Sequence, residues 1–251
     1  MPSVEFAIQD QIGILTVNRP QVRNALDWQS MEAFASAIEQ ARADAELRAL
    51  IVTGAGKTFI SGGDLIDLHN YPTEEDASRM IALMGSALDV LDNLPCVTIA
   101  AMEGAARGGG CEVALACDWR IAAQDADLGF VQIRLGLTTG WGGAARLMQL
   151  VGYARALDLL ARGQVISAEE AYRTGLVTHL AEPGQALPTA IQMAASAAEH
   201  DPSVVRAYKR ILKAAQRSLD EAQSAERSEF PKLWVSESHV QAVNTFFKRR
   251  T

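Results

Sequence analysis

One stretch narrows the fold more than any other. The run Val97-Thr98-Ile99-Ala100-Ala101 leads through Ala105-Ala106-Arg107 into Gly108-Gly109-Gly110-Cys111-Glu112-Val113-Ala114-Leu115-Ala116-Cys117-Asp118. The first five residues read as a buried strand. Three glycines let a backbone approach another group closely and leave its N–H groups unshielded. The apolar residues after them read as a short helix, whose first turn carries Glu112 at the positive end of the helix dipole. The same order occurs upstream. Leu50-Ile51-Val52-Thr53 is a short buried strand, Phe59-Ile60-Ser61-Gly62-Gly63-Asp64-Leu65 a second glycine loop, and a helix follows over about 74–91. Strand, glycine turn and helix in repetition point to an α/β chain wound with right-handed connections.

The remaining chain supports a body and a tail. Val4–Ile8 and Ile12–Val17 alternate around Asp10-Gln11 and predict a hairpin. Asp27 caps a helix over about 28–43, with Met31, Phe34, Ala35 and Ile38 on one face. Trp119–Ala123 is a strand, 128–137 a set of short extended pieces, and helices follow from the Thr138–Gly143 turn to about Leu150 and over 154–161. Ser167-Ala168-Glu169-Glu170 predicts a capping box, and Leu176-Val177-Thr178 a last strand. After Pro188 strand signals vanish. Helices are expected over about 189–199, 204–217, 219–234 and 239–248, the second opened by Asp201-Pro202. The domains expected are therefore 1–188 and 189–251.

Composition sets outer bounds. The chain has 251 residues, 49% hydrophobic and 21% charged, enough for one large core. Its net charge of −7 disfavours nucleic acid as the main partner. No apolar run reaches the roughly 20 residues that span a bilayer, and Met1-Pro-Ser-Val-Glu does not begin a signal peptide. Cys96, Cys111 and Cys117 show no zinc spacing, so a reduced, cytoplasmic protein without a metal is expected. His69, His179, His200 and His239 are scattered, without triad or metal spacing.

Two glycine loops follow buried strands at comparable points of successive units. They could be tight turns only. If the units stack, Gly63 and Gly109 face each other, and two N–H groups converging on one oxygen form an oxyanion hole. Asn18-Arg19-Pro20 with Arg23-Asn24-Ala25-Leu26, then Phe59 to Leu65, Gly108 to Glu112 with Cys117-Asp118, and Ser167 to Ala171 with Gly175-Leu176-Val177 together resemble the enoyl-CoA hydratase/isomerase (crotonase) family. The resemblance implies a crotonase-type β-spiral of ββα units and a C-terminal helical region used for trimers, often paired into hexamers. It implies an acyl-CoA thioester substrate, with coenzyme A part of the substrate and no separate cofactor. The thioester oxygen would lie between Gly63 and Gly109. Arg23, Ala25, Ser61, Asp64 and Leu65 would border coenzyme A, and Lys248 would meet its phosphates; a solvated basic end is the plainer account of Lys248.

The chain also departs from the family pattern. Hydratases pair two glutamates, and here the first is Glu112 while the second position holds Gln132. A glutamine holds a water or a thioester group but does not move a proton near neutral pH. Glu112 is thus the one acid/base candidate in the matched motifs; its plain alternative is a helix-end charge. Asp64 and Asp118 read as structural. Hydration with one carboxylate acting twice, double-bond isomerisation, and decarboxylation of a malonyl-type ester all pass through the same enolate. Phe130-Val131-Gln132, Leu135-Gly136-Leu137 and Trp141-Gly142-Gly143 resemble the ethylmalonyl/methylmalonyl-CoA decarboxylase branch, and Arg107 could meet a substrate carboxylate or form a surface salt bridge. A non-catalytic acyl-CoA binding or assembly protein is the further alternative. Trp234 and Phe246-Phe247 read as tail core or subunit-contact anchors.

Overall fold

The structure, a computed structural model, describes residues 2–234, 236–239 and 241. The chain divides into two compact units, 1–197 and 198–251.

The first unit opens with strands β1 (Val4–Gln9) and β2 (Ile12–Val17), paired antiparallel from Val4↔Val17 to Gln9↔Ile12. Asp10 and Gln11 both take positive φ, the two-residue turn whose twist matches a hairpin. Helix α1 (Trp28–Ala43) starts where the Asp27 carboxylate accepts the Ser30 N–H at 2.8 Å, and it buries Met31, Phe34 and Ile38. Then come β3 (Ala49–Gly54), β4 (Thr58–Ile60), the single turn α2 (Leu65–Leu68) and α3 (Glu74–Asp92), which Thr73 and Asp76 open with a reciprocal capping box. Next are β5 (Val97–Met102), β6 (Ala105–Arg107), α4 (Gly109–Leu115), β7 (Trp119–Ala123) and β8 (Asp127–Gly129). A 3-10 turn over Gln132–Leu135 precedes α5 (Gly143–Val151), α6 (Tyr153–Arg162), β9 (Val165–Ser167), α7 (Ala168–Arg173), β10 (His179–Ala181) and α8 (Ala186–Ala198).

These strands form two sheets. One runs β1-β2-β3-β5-β7-β10, parallel from β2 onward; the other runs β4-β6-β8-β9, parallel except for its last pair. Each turn of chain therefore gives one strand to each sheet: β3 and β4, β5 and β6, β7 and β8. This is the expected spiral of ββα turns. Parallel neighbours need a crossover, and the helices supply it. The strands β3 and β5 are buried along their whole length, which is why they read as continuous apolar runs rather than alternating ones.

Three local expectations differ from the structure; the first is that residues 132–135 form a 3-10 turn where extended pieces are expected. Leu176 and Val177 are buried in the turn after α7, where both N–H groups bond to the Ala171 carbonyl, and the last strand begins at His179. Their apolar character marks burial, not strand pairing. Helix α8 begins before Pro188, not after it, because proline in a first turn sacrifices no helical hydrogen bond. The smaller sheet was unread, since three residues are too few to show a period.

The second unit contains α9 (Pro202–Ala215), capped by Asp201 with Pro202 at its first position, and α10 (Leu219–Trp234). Arg210 on α9 pairs with Glu229 on α10 at 3.0 Å. An apolar groove of about 1090 Å³ is lined by Tyr208, Ile211, Phe230 and Trp234 among others. The Trp234 ring lies 5.7 Å from Phe230 and 4.8 Å from His239, centroid to centroid. Phe246, Phe247 and the expected helix beyond His239 lie outside the described residues, apart from its first positions. Among the described residues no helix is long and apolar enough to cross a membrane.

One buried side chain holds the loop after β2 in place. Asn24 is fully buried with a left-handed backbone, φ 56°. Its amide donates to the carbonyls of Ala55 at 2.9 Å, Thr58 at 2.7 Å and Phe59 at 3.2 Å, and its Oδ1 accepts the Arg19 N–H at 2.9 Å. We expect Asn24→Ala to cost about 2–4 kcal/mol of stability, from orphaned carbonyls and a strained left-handed alanine. Asn24→Gly should recover only the strain part. Urea unfolding midpoints at unchanged m-value measure both.

Candidate active site

The two glycine loops lie side by side because β4 and β6 pair in parallel. The first loop is fixed on its other flank by a parallel bridge between Leu26 and Gly63. Leu26 N–H donates to the Gly62 carbonyl and Asp64 N–H to the Leu26 carbonyl, each at 2.8 Å. Both bonds fall on Leu26, so the N–H of Gly63 itself points to the opposite side. The second loop lies there: a Cβ placed on Gly62 would be 3.1 Å from the Arg107 carbonyl oxygen and 3.2 Å from the Gly109 nitrogen. Gly109 is the first residue of α4, where an N–H has no partner one turn back. Close approach explains the glycines. A Cβ on Gly110 would lie 1.9 Å from the Ile60 carbonyl oxygen, and one on Gly109 would lie 2.2 Å from the Trp141 ring. The structure thus brings the loops of Gly63 and Gly109 together.

Glu112 sits in the first turn of α4 and is 2% exposed. Its carboxylate is held by the turn that opens α5. Oε2 accepts the N–H groups of Trp141 at 2.7 Å and Gly143 at 2.9 Å. Oε1 accepts the Gln132 amide Nε2 at 3.0 Å and the Gly140 N–H at a long 3.4 Å. Burial pushes this carboxyl above its ordinary value of 4.5, against the pull of those four donors. Oε2 holds the two close backbone donors and Oε1 one amide and one long contact, so Oε1 is the oxygen on which a proton displaces less. The backbone cradle from Gly140 to Gly143 escaped sequence reasoning as a feature of the site. Its only signal was a glycine-rich helix start, which does not say which carboxylate it faces.

Gln132 opens the 3-10 turn after β8 and reaches Glu112 from there. Its amide carbon lies 3.8 Å from the position a Cβ on Gly108 would take, beside the second loop. Its Oε1 is buried and has no hydrogen-bond partner, the one buried side-chain nitrogen or oxygen of which this holds among the described residues.

The other expected site residues gather around the first loop. Arg23 is exposed with a left-handed backbone, Ala25 is buried, Ser61 is half-buried and Leu65 is exposed. Asp64 caps α2 through the Ile66 N–H at 3.2 Å and pairs with Arg19 at 3.0 Å. Arg19 was not singled out from the sequence, yet it joins this whole edge. It also pairs with Asp27 at 2.8 Å and donates to the Ala25 carbonyl at 2.5 Å. Lys248 lies outside the described residues.

Three further side chains resolve simply. The Arg107 guanidinium is engaged by Asp127 at 2.7 Å and by the Ala106 and Asp127 carbonyls, the salt-bridge account of this residue. The Cys111 thiol is packed against the Ala106 and Gly129 carbonyls, and burial pushes it up to about 12, which removes it as a nucleophile. Asp118 accepts the Thr98 N–H at 2.8 Å and its hydroxyl at 2.9 Å, a structural clasp between β5 and the end of α4.

Known proteins show the family to which the chain is similar. The enoyl-CoA hydratase/isomerase family model matches residues 7–251. A short-chain-enoyl-CoA hydratase of Clostridium acetobutylicum is 34% identical over 245 residues, covering 96% of this chain and 93% of that protein. A crotonyl-CoA hydratase of Syntrophomonas wolfei is 33% identical, covering 96% and 94%. The crystal structure of an enoyl-CoA hydratase from Bacillus anthracis superposes with a TM-score of 0.94 at 29% identity, covering 99% of this chain and 97% of that one. With a β-spiral body, adjoining glycine loops and a carboxylate at the second of them, the chain belongs to the enoyl-CoA hydratase/isomerase family of enzymes.

Proposed function

We propose that this enzyme hydrates a short 2-enoyl-CoA thioester through an enolate held by the N–H groups of Gly63 and Gly109, with Glu112 as the acid/base. The observation that carries the reading is Glu112 itself. A buried carboxylate, held closely through one oxygen and less closely through the other, sits one turn from an uncommitted N–H. In the forward direction ionised Glu112 removes a proton from water as its oxygen adds to C3. The electron pair of the double bond moves toward the thioester oxygen, which the two N–H groups stabilise. Glu112, now protonated at Oε1, returns the proton to C2. Water is consumed and Glu112 ends as it began. The steps use only these groups, and coenzyme A enters as part of the substrate.

Relatives named for short-chain and crotonyl-CoA hydration support a short acyl group. Decarboxylation of a malonyl-type ester is less well supported, because Arg107 is already committed to Asp127. A non-catalytic binder has no use for a carboxylate held this way. Arg23, Ala25, Ser61, Asp64 and Leu65 are assigned to the coenzyme A border by their common place around the first loop. We assign self-association, as a trimer or a pair of trimers, to the C-terminal helices, supported by exposed Tyr208, Leu212, Phe230 and Trp234. A cytoplasmic setting is supported by three buried, unbridged cysteines.

Turnover of crotonyl-CoA against methylmalonyl- and ethylmalonyl-CoA tests the reading: fast hydration with no loss of CO₂ is expected, and the reverse pattern overturns it. Glu112→Gln should lower hydration by about 10²-fold or more. Because Glu112 must be ionised, hydration should rise with pH through a value above 4.5, and the glutamine variant should lack that limb. Stability moves the opposite way. A carboxyl whose folded value is raised contributes stability that is complete below its unfolded value and lost as pH rises through the folded one. The unfolding free energy of the wild type relative to Glu112→Gln should therefore fall as pH rises from the ordinary carboxyl value of 4.5 through the raised folded one.

A further inference from the structure

The two N–H groups that hold Glu112 Oε2 belong to Trp141 and Gly143, residues two apart. They reach one oxygen because Gly142 between them is left-handed, φ 90° and ψ 11°. Glycine takes positive and negative φ about equally, so Gly142 permits this turn without selecting it. The selecting group is Arg146, in the first turn of α5. Its Nη1 donates to the Trp141 carbonyl at 3.0 Å, and turning the Trp141–Gly142 peptide over would break that bond. The same nitrogen lies 2.6 Å from where a Cβ on Gly142 would stand, so the guanidinium covers the space that glycine leaves open.

The far side of the guanidinium is held by a different helix. Nη2 donates to Asp89 at 2.7 Å and Nε lies 3.8 Å from Asp92, both on α3. The Arg146 side chain is 12% exposed and that of Asp89 is 75% exposed. A pair with so exposed a carboxylate adds little to stability. Its effect is geometric: it aims a planar group with several fixed donors, which a lysine does not reproduce.

We propose that Arg146 is a positioning residue for hydration: by clamping the Trp141–Gly142 peptide against α3, it keeps the Trp141 and Gly143 N–H groups on Glu112 Oε2 and leaves Oε1 to exchange the proton. The proposal rests on the reading of Glu112 as the acid/base given above. Arg146 acts through the backbone, since the donors on Glu112 are those N–H groups, the Gly140 N–H and the Gln132 amide.

Arg146→Ala removes the clamp. Loosened N–H donors stabilise ionised Glu112 less, so its carboxyl should rise further above 4.5. The four donors facing that carboxyl are neutral, and the adjoining Cys111 thiol keeps its proton up to about 12, so none of them changes charge in this range. The kcat of crotonyl-CoA hydration should fall about 10- to 100-fold, the range for a misplaced reacting group, with KM changed little. The rising limb of the pH profile should move to higher pH. Difference infrared spectroscopy against pH reads the same shift without substrate, with the Glu112 band identified by its loss in Glu112→Gln. If Arg146→Ala does not fold, Arg146→Lys carries the test. It keeps the charge beside Asp89 and Asp92 but lacks the fork that joins them to the Trp141 carbonyl, and its limb should also move upward. A folded variant with a lower kcat but an unmoved limb and titration overturns the proposal, because Arg146 then only supports the fold. Unchanged kcat overturns it as well. A wild type that hydrates no enoyl-CoA overturns the reading of the site and the proposal with it; a wild type that hydrates, beside a variant whose infrared titration stays in place, overturns the proposal alone.

Discussion

The grip of the Trp141 and Gly143 N–H groups on Glu112 joins the parts of the site that sequence separates. Glu112 belongs to α4, its donors to the turn that opens α5, and Gln132 to the 3-10 turn between them. A buried carboxylate is costly unless its oxygens are satisfied. Here the satisfaction is uneven. Two close N–H groups occupy Oε2, while Oε1 has one neutral amide and one long contact. Burial raises the proton affinity of the group, and the donors decide which oxygen takes the proton. Stability and chemistry thus depend on the same four bonds, and removing the charge alters both in opposite directions with pH.

The glycine loops depend on a second constraint, the parallel pairing of short strands in the smaller sheet. Pairing of β4 with β6 brings Gly62 against the Arg107–Gly109 loop, and the Leu26 bridge turns the Gly63 N–H toward it. Arg19 and Asn24 hold the outer side of this arrangement. Arg19 ties together the caps of α1 and α2, and Asn24 closes the turn between β3 and β4. None of these polar groups is placed to react. Their effect is to fix the direction of one backbone N–H, which no side chain can reproduce.

Much of this was legible in the residues. The hairpin, α1, the strands β3, β5 and β7, and the Asp201-Pro202 helix start follow from alternation, capping and continuous apolar runs. Glu112 and the two glycine loops stood out because their residue types make little sense as plain core. The four strands of the smaller sheet did not, because three-residue strands carry no period. Arg19 was hidden for another reason. Its value lies in bridging Asp27 and Asp64, two carboxylates that local sequence explains separately as helix caps. The cradle around Glu112 was hidden because backbone N–H groups have no sequence signature. Gln132 was readable as the loss of a second acid; the bond from its amide nitrogen to Glu112 was not.

Thioester chemistry at this site requires that the N–H groups of Gly63 and Gly109 polarise the thioester carbonyl. Difference infrared spectroscopy of bound crotonyl-CoA labelled with ¹³C at the thioester carbonyl measures this directly. The carbonyl stretch is expected at lower frequency on the enzyme than in water, because two fixed donors withdraw electron density from the C=O bond. A bound stretch at or above the solution frequency would contradict it.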